Sequence, residues 1–162
     1  MILIGLGANL PSAAGPPRAT IEAALAALAE EGVRVLARSR FYRTAPVPRS
    51  DQPDYVNAAS RIESRLDPAA LLALLHRIEA RFGRVRGAPN AARALDLDLL
   101  AFHDLVMEDP GGPIVPHPRL HLRAFVLLPL AEIAPDWRHP MLRRTVAELI
   151  AALSPGQDAT PM

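Results

Sequence analysis

Leu95-Asp96-Leu97-Asp98-Leu99-Leu100 sets two carboxylates in strict alternation with leucines. Such alternation predicts a half-buried strand. Side chains on a strand point to opposite faces in turn, so Asp96 and Asp98 share one face while Leu95, Leu97 and Leu99 share the other. Two like charges about 7 Å apart on one face repel each other. A divalent cation between them reverses that sign, and Mg²⁺ favours one or two carboxylates together with substrate phosphates. Alone, so short a motif is more often a solvent-facing strand carrying two ordinary acids.

The neighbourhood adds weight to the first reading. Gly83 to Ala92 is a polar, small-residue loop that carries Arg84 and Arg86 and leads to Arg93, just upstream of the first acid. His117 and Arg123 lie downstream. Carboxylates able to hold Mg²⁺ beside several guanidiniums are what a polyphosphate requires, because the metal bridges oxygens and the arginines offset charge on the transferring group. All 18 basic residues are Arg and none is Lys. Phosphate handling therefore rests on Arg, His and backbone amides, and the guanidinium fork suits the task. Taken singly, each Arg is more often a solvated surface residue, and His117 more often a structural one.

The elements that position these residues follow from periodicity and punctuation. Ile2 to Gly7 reads as a buried strand, and its Gly-x-Gly lacks the third glycine of a dinucleotide fingerprint. Ala19 to Glu30, with Ile21, Leu25 and Leu28 at helical spacing, predicts a helix ended by Gly32. Val33 to Tyr42 alternates as a strand, and Thr44 to Pro53 is a proline-rich loop. Tyr55 to Leu66 resumes as a strand. Asp67-Pro68 is an N-cap followed by proline at the first helical position, and the helix runs to about Phe82 with Leu71, Leu72, Leu75 and Ile78 inward. The acidic strand continues to about Val106, with a hairpin placed at His103-Asp104. Asp109 to Pro113 is a turn. Leu120 to Ile133 is apolar and helical around Ala124 to Leu128, and Thr145 to Leu153 is a final helix. The order β-α-β-β-α-β predicts an α+β, ferredoxin-like split β-α-β fold: a mainly antiparallel sheet flanked by helices on both faces. Such a fold says little about chemistry by itself.

The totals bound the rest. A chain of 162 residues, 50% hydrophobic and 22% charged, suits one soluble globular domain over residues 1–162, with 154–162 expected as a flexible tail. No apolar run approaches the ~20 residues of a membrane span, and the N-terminus lacks a signal-type pattern, so a cytoplasmic protein is the default. The absence of cysteine excludes disulfides, zinc–thiolate sites and thiol nucleophiles. A net charge of +1 gives no reason to expect nucleic acid as a partner. The 17 prolines and the Arg-for-Lys bias fit either GC-rich codon usage or a thermophilic source.

Motifs along the whole chain resemble those of the 6-hydroxymethyl-7,8-dihydropterin pyrophosphokinase family of folate biosynthesis. They are Gly7-Ala8-Asn9-Leu10, Phe41-Tyr42-Arg43-Thr44, Asp51 to Ala58, Arg77-Ile78-Glu79, Gly83-Arg84-Val85-Arg86, Arg93-x-Leu95 to Leu100, Val115 to Arg119, and Arg123 to Leu130. The resemblance implies transfer of pyrophosphate from MgATP to the pterin's hydroxymethyl group, with release of AMP. By position, Asp96 and Asp98 would hold two Mg²⁺ ions on the triphosphate. Arg84 and Arg93 would neutralise charge on the transferred group, His117 and Arg123 would contact ATP phosphates, and Glu79 would lie near the nucleotide or support the site. Thr44 and Asn57 would hydrogen-bond the pterin, and Tyr55 and Phe125 would sandwich its ring. The resemblance also allows a functional link to dihydropteroate synthase, while charge and hydropathy predict no nucleic acid and no membrane as partner. The chain departs from the family pattern at Pro89 to Ala92, where relatives carry Trp, Gly and Pro.

Residue chemistry agrees on its own terms. A flat heteroaromatic ring is bound well by two aromatic faces, and the chain has few aromatics to spare: one Trp, two Tyr and four Phe. The plain reading of Phe125 is a core aromatic. Asn57 offers both donor and acceptor to a pterin amide edge and lies inside a strand, where Asn is disfavoured. The alternative, from another class, is a ferredoxin-like regulatory module that binds a nucleotide or metal without turnover.

Overall fold

The computed structural model describes residues 1–46, 48–83 and 92–162. Strand β1 (Ile2–Ala8) is buried at every position but Gly5, which is half-buried, as a strand covered on both faces must be. It lies between β4 (Tyr55–Glu63) and β5 (Asp96–Phe102), antiparallel to both. β2 (Arg34–Arg38) and β3 (Tyr42–Thr44) pair with β4, and β3 also pairs with β8 (Ala159–Pro161), all antiparallel. With α1 (Pro17–Glu30) after β1 and α2 (Pro68–Arg81) after β4, the order is that of a split β-α-β fold.

Alternate residues of the central strands feed two separate cores. Ile2, Ile4, Leu6, Leu97 and Leu99 pack with α1 and α2. Leu3, Ala59 and Leu100 pack with α3 (Ala124–Ile133) and α4 (Val146–Ala151) on the opposite face. Helices on both faces of an antiparallel sheet are what the pattern predicted. The Asp67 carboxylate accepts from the Ala70 N–H at 2.8 Å to cap α2. α2 buries Leu71, Leu74, Leu75 and Ile78, whereas Leu72, expected inward, lies at the rim. Burial of those four aliphatic side chains contributes on the order of 6–12 kcal/mol before the entropy of ordering them is subtracted.

The structure departs from the sequence reading in three places. The strand expected over 33–42 is two, because Ser39 interrupts it. The Ser39 hydroxyl accepts from the Ala59 N–H at 3.0 Å and donates to the Arg40 carbonyl, taking over a ladder position from the backbone. β5 stops at Phe102, where His103 adopts a left-handed φ of 53°. The chain beyond it does not return along β5 as a hairpin: β6 (Met107–Glu108) pairs instead with β7 (Ile114–Val115). The residues expected as a flexible tail over 154–162 contain β8, whose Ala159, Thr160 and Pro161 sit opposite Thr44, Arg43 and Tyr42. That strand could not be anticipated locally, since its stability comes from a free edge on β3.

Candidate active site

The three central strands align the chemistry in rows. Asp96 on β5 lies opposite Gly7 on β1, which lies opposite Asn57 on β4. In the next row on that face, Asp98 lies opposite Gly5, and Gly5 opposite Ala59. The glycines and small residues leave a trough. A depression of about 310 Å³, open to solvent, is lined by Gly7, Asn57, Asp96, Asp98, Leu100 and Phe125 among others.

Gly7 is required by this geometry. A Cβ there would stand 2.6 Å from the Asn57 side-chain oxygen, closer than any real contact, while one at Gly5 would meet Leu100 at an ordinary 3.5 Å. The glycine pair that fails as a dinucleotide motif is therefore the floor of the trough. Its signal in the sequence is a glycine doublet at period two inside a buried strand, which marks close approach to the backbone.

Asn57 and Thr44 are both buried, and the Asn57 amide donates to Thr44 Oγ1 at 2.8 Å. Phe125 lines the trough, whereas Tyr55 is outside its lining. Burial is the main influence on the Tyr55 phenol and raises its pKa; the charge of Arg93 opposes this and that of Asp96 reinforces it.

The carboxylates differ. Asp98 is raised from the ordinary 3.8 to about 7, first by burial and then by the charge of Asp96; Arg123 opposes the shift and Glu79 adds to it. Asp96 is engaged by Arg93, whose guanidinium lies 3.1 Å from its carboxylate. Two acids of which one resists ionisation are a site that gains from added positive charge. Among the described residues no third acid or histidine completes a metal-binding group.

His117 is lowered to about 4 by burial, then by the charges of Arg123 and Arg119. Its Nδ1 accepts from the Arg119 N–H at 3.1 Å. The neutral ring therefore carries its proton on Nε2, as a hydrogen-bond donor. Arg123 stands over the Phe125 ring, 5.3 Å from its centroid. Glu79, from α2, is buried and accepts from the Leu97 N–H at 2.8 Å. β5 forms the end of the sheet, and Glu79 supplies the partner a neighbouring strand would have given. Arg84, with all of 84–91, lies outside the described residues.

Asn9, for which the Gly7-Ala8-Asn9-Leu10 motif implies no particular role, joins three segments. Its side-chain oxygen accepts from the Arg93 N–H at 2.8 Å, and its amide donates to Gln52 Oε1 at 3.0 Å and to the Pro53 carbonyl at 3.1 Å. The loop after β1, the proline-rich loop and the approach to β5 thus meet at one buried side chain.

Residues 3–135 match the model of the 7,8-dihydro-6-hydroxymethylpterin-pyrophosphokinase family. The chain belongs to this family. It is 40% identical over 149 residues to the 2-amino-4-hydroxy-6-hydroxymethyldihydropteridine pyrophosphokinase of Synechocystis, covering 91% of this chain and 73% of that one. It is 41% identical over 153 residues to the protein of the same name from Methylorubrum extorquens, covering 94% and 92%. The fold resembles the solved Plasmodium falciparum HPPK-DHPS, with a TM-score of 0.71 at 15% identity, covering 93% of this chain and 43% of that chain. The chain thus spans less than half of that solved protein. Relatives named as enzymes do not favour the alternative of a module without turnover. Among the described residues no helix is long and apolar enough to cross a membrane.

Proposed function

We infer that this chain transfers the pyrophosphoryl group of ATP to the hydroxymethyl group of 6-hydroxymethyl-7,8-dihydropterin and releases AMP, a step in folate biosynthesis. Family membership names the reaction. The observation that carries it to particular residues is the row Asp96–Gly7–Asn57, which puts a metal-type carboxylate and a donor–acceptor amide in one trough beside Phe125.

Asp96 and Asp98 would hold Mg²⁺, two ions by our reading, which when bound offset charge on the triphosphate. Burial, reinforced by the charge of Asp96, keeps Asp98 reluctant to ionise, and this supports fitting the pair to a cation. Arg93, already against Asp96, and Arg84 would neutralise the transferred group. His117, neutral with a proton on Nε2, would donate to a phosphate oxygen, and Arg123 would pair with another. Glu79 acts by fixing β5, and so the two acids, through the Leu97 N–H. Asn57, oriented by Thr44, would read the pterin's amide edge, and Phe125 would stack on its ring, with Tyr55 closing from the other side. In the transfer the pterin hydroxyl oxygen bonds to the β-phosphorus, the bond to the α–β bridging oxygen breaks, AMP leaves, and the hydroxyl proton passes to solvent. Positioning and charge stabilisation suffice for this step. We place the protein in the cytoplasm and link it functionally to dihydropteroate synthase, by analogy with the fused HPPK-DHPS chain.

The test is a ³¹P NMR assay with ATP, Mg²⁺ and the hydroxymethyl-dihydropterin. AMP and a pterin diphosphate are expected in equal amounts, both dependent on Mg²⁺. Absence of AMP overturns the assignment.

A further inference from the structure

We propose that Gln157, in the C-terminal segment beyond the family-matched residues 3–135, is a positioning residue for Arg123. The inference rests on the pyrophosphokinase reading. Gln157 Oε1 accepts from the Ala124 N–H at 2.9 Å, and its Nε2 donates to the Leu122 carbonyl at 3.0 Å. These two bonds fall on the residues immediately before and after Arg123. One side chain thereby clamps the backbone on both sides of the residue whose guanidinium stacks on Phe125 and feels the charges of Asp98 and Asp96.

The local sequence cannot do this alone. Arg123 stands at the N-cap of α3 and makes no side-chain cap hydrogen bond. The first N–H groups of a helix have no partner inside it. Gln157 supplies a partner to Ala124 from 33 residues away. Immediately after it, β8 pairs with β3, placing Ala159 opposite Thr44, and the Met162 N–H donates to the Phe41 carbonyl at 2.9 Å. The strand holds Gln157 in place, and the same segment joins the supports of two trough residues: Thr44, which accepts from Asn57, and Arg123, which lies over Phe125. The far end of α3 is tied to β3 as well, since Glu132 accepts from the Tyr42 hydroxyl and from the Arg40 N–H. A helix fixed at one end on β3 and at the other by Gln157 has little freedom to swing Arg123 away from the acids.

The experiment is a double-mutant cycle on the full chain with Gln157→Ala and Arg123→Ala, read as kcat/KM for both substrates. Losing two neutral hydrogen bonds at the site predicts a fall of about tenfold in Q157A. In the Arg123→Ala background, the same substitution is expected to change kcat/KM by less than about twofold, because its effect is routed through Arg123. An equal loss in both backgrounds overturns the proposal, since a merely structural role does not depend on Arg123, and so does an unchanged kcat/KM in Q157A. Amide exchange at Ala124, followed by NMR without substrate, tests the clamp itself. Protection lost in Q157A supports it, and protection unchanged overturns it whether or not the wild type turns over. A wild type that makes no AMP while Ala124 loses protection in Q157A refutes the pyrophosphokinase reading and leaves the clamp standing.

Discussion

The trough has two walls built on different principles. One is the sheet, where β5, β1 and β4 hold Asp96, Asp98, Gly7 and Asn57 in register through antiparallel ladders that are regular over those rows. The other is the start of α3, where Arg123 and Phe125 are held by a hydrogen-bonding residue distant in sequence. In the sheet, shifting β5 by one residue would turn Leu97 and Leu99 away from the core formed with α1 and α2 and drive Asp96 and Asp98 into it, so register is strongly fixed. At α3 the apolar face fixes the helix body, but the rotation of its first residue depends on few bonds. On the proposed reading, the difference separates the acids that would seat a metal, held by the ladders, from the residues that would meet a ligand arriving from solvent.

If the sheet wall carries the chemistry, its largest single effect belongs to Asp98. Asp98→Ala should lower turnover by at least about a hundredfold, the scale seen when one preorganised electrostatic group is removed. The folded structure should survive, because the side chain removed is a carboxylate that burial already disfavours. Steady-state AMP formation and circular dichroism on the same sample decide it. Retained activity would mean that the aligned acids do not hold the reacting phosphates.

Next in size is the floor. Gly7→Ala puts a methyl carbon 2.6 Å from the Asn57 side-chain oxygen, so Asn57 must rotate and break its bond to Thr44. A misplaced buried amide costs about 1–3 kcal/mol. The expected result is a rise of roughly five- to 150-fold in KM for the pterin, by conversion of that cost, with a smaller change in KM for ATP. Equal changes for both substrates would show that Asn57 does not belong to the pterin side.

Glu79 separates support from charge. Glu79→Ala leaves the Leu97 N–H without its acceptor at the sheet edge, which costs about 1–3 kcal/mol of stability. Glu79→Gln keeps an acceptor, so it should fold nearly as well while removing a negative charge that pushes the Asp98 pKa up. Chemical denaturation of the two variants checks the first part, and carboxyl titration by NMR in the Gln variant checks the second. A Gln variant as unstable as the Ala variant would mean that the charge itself is what β5 needs.

The two walls also differ in how far the sequence revealed them. Alternation around Asp96 and Asp98, the Asp67 cap and the leucines of α2 are local signals, and they located the sheet, its helices and the acidic row. Gly7 was visible as a glycine but not as a floor, because its partner Asn57 is on another strand. Asn9 and Gln157 act through bonds that cross more than thirty residues, to Arg93, Gln52, Ala124 and Leu122. Nothing in the chain around either residue announces such a role. The break at Ser39 was missed for a related reason: a serine hydroxyl took a ladder position that alternation assigns to backbone.

The remaining prediction concerns stability without metal. Asp98 has a pKa of about 7 in the fold against an ordinary 3.8, so between those values the folded protein keeps a proton that the unfolded chain has released. Stability from this group is therefore full below about 4 and is lost as pH rises to about 7. His117 acts in the opposite sense. Lowered from 6.5 to about 4, it stays neutral in the fold while the unfolded chain takes up a proton, so its contribution is lost as pH falls through that window. The two slopes oppose each other, and the raw profile of the wild type hides both. The difference between wild type and Asp98→Asn isolates the carboxylate: Asp98→Asn should gain on the wild type steadily from pH 4 to 7 and hold a constant lead above that. Thermal melts across that range, run without divalent ions, give the comparison. Adding Mg²⁺ should then raise the wild-type melting temperature more at pH 7.5 than at pH 5.5, because the ion binds the ionised pair, and should leave Asp98→Asn much less affected. A wild type that gains on Asp98→Asn as pH rises without metal would show that the Asp98 carboxylate is stabilised by its arginine neighbours more than it is penalised by burial.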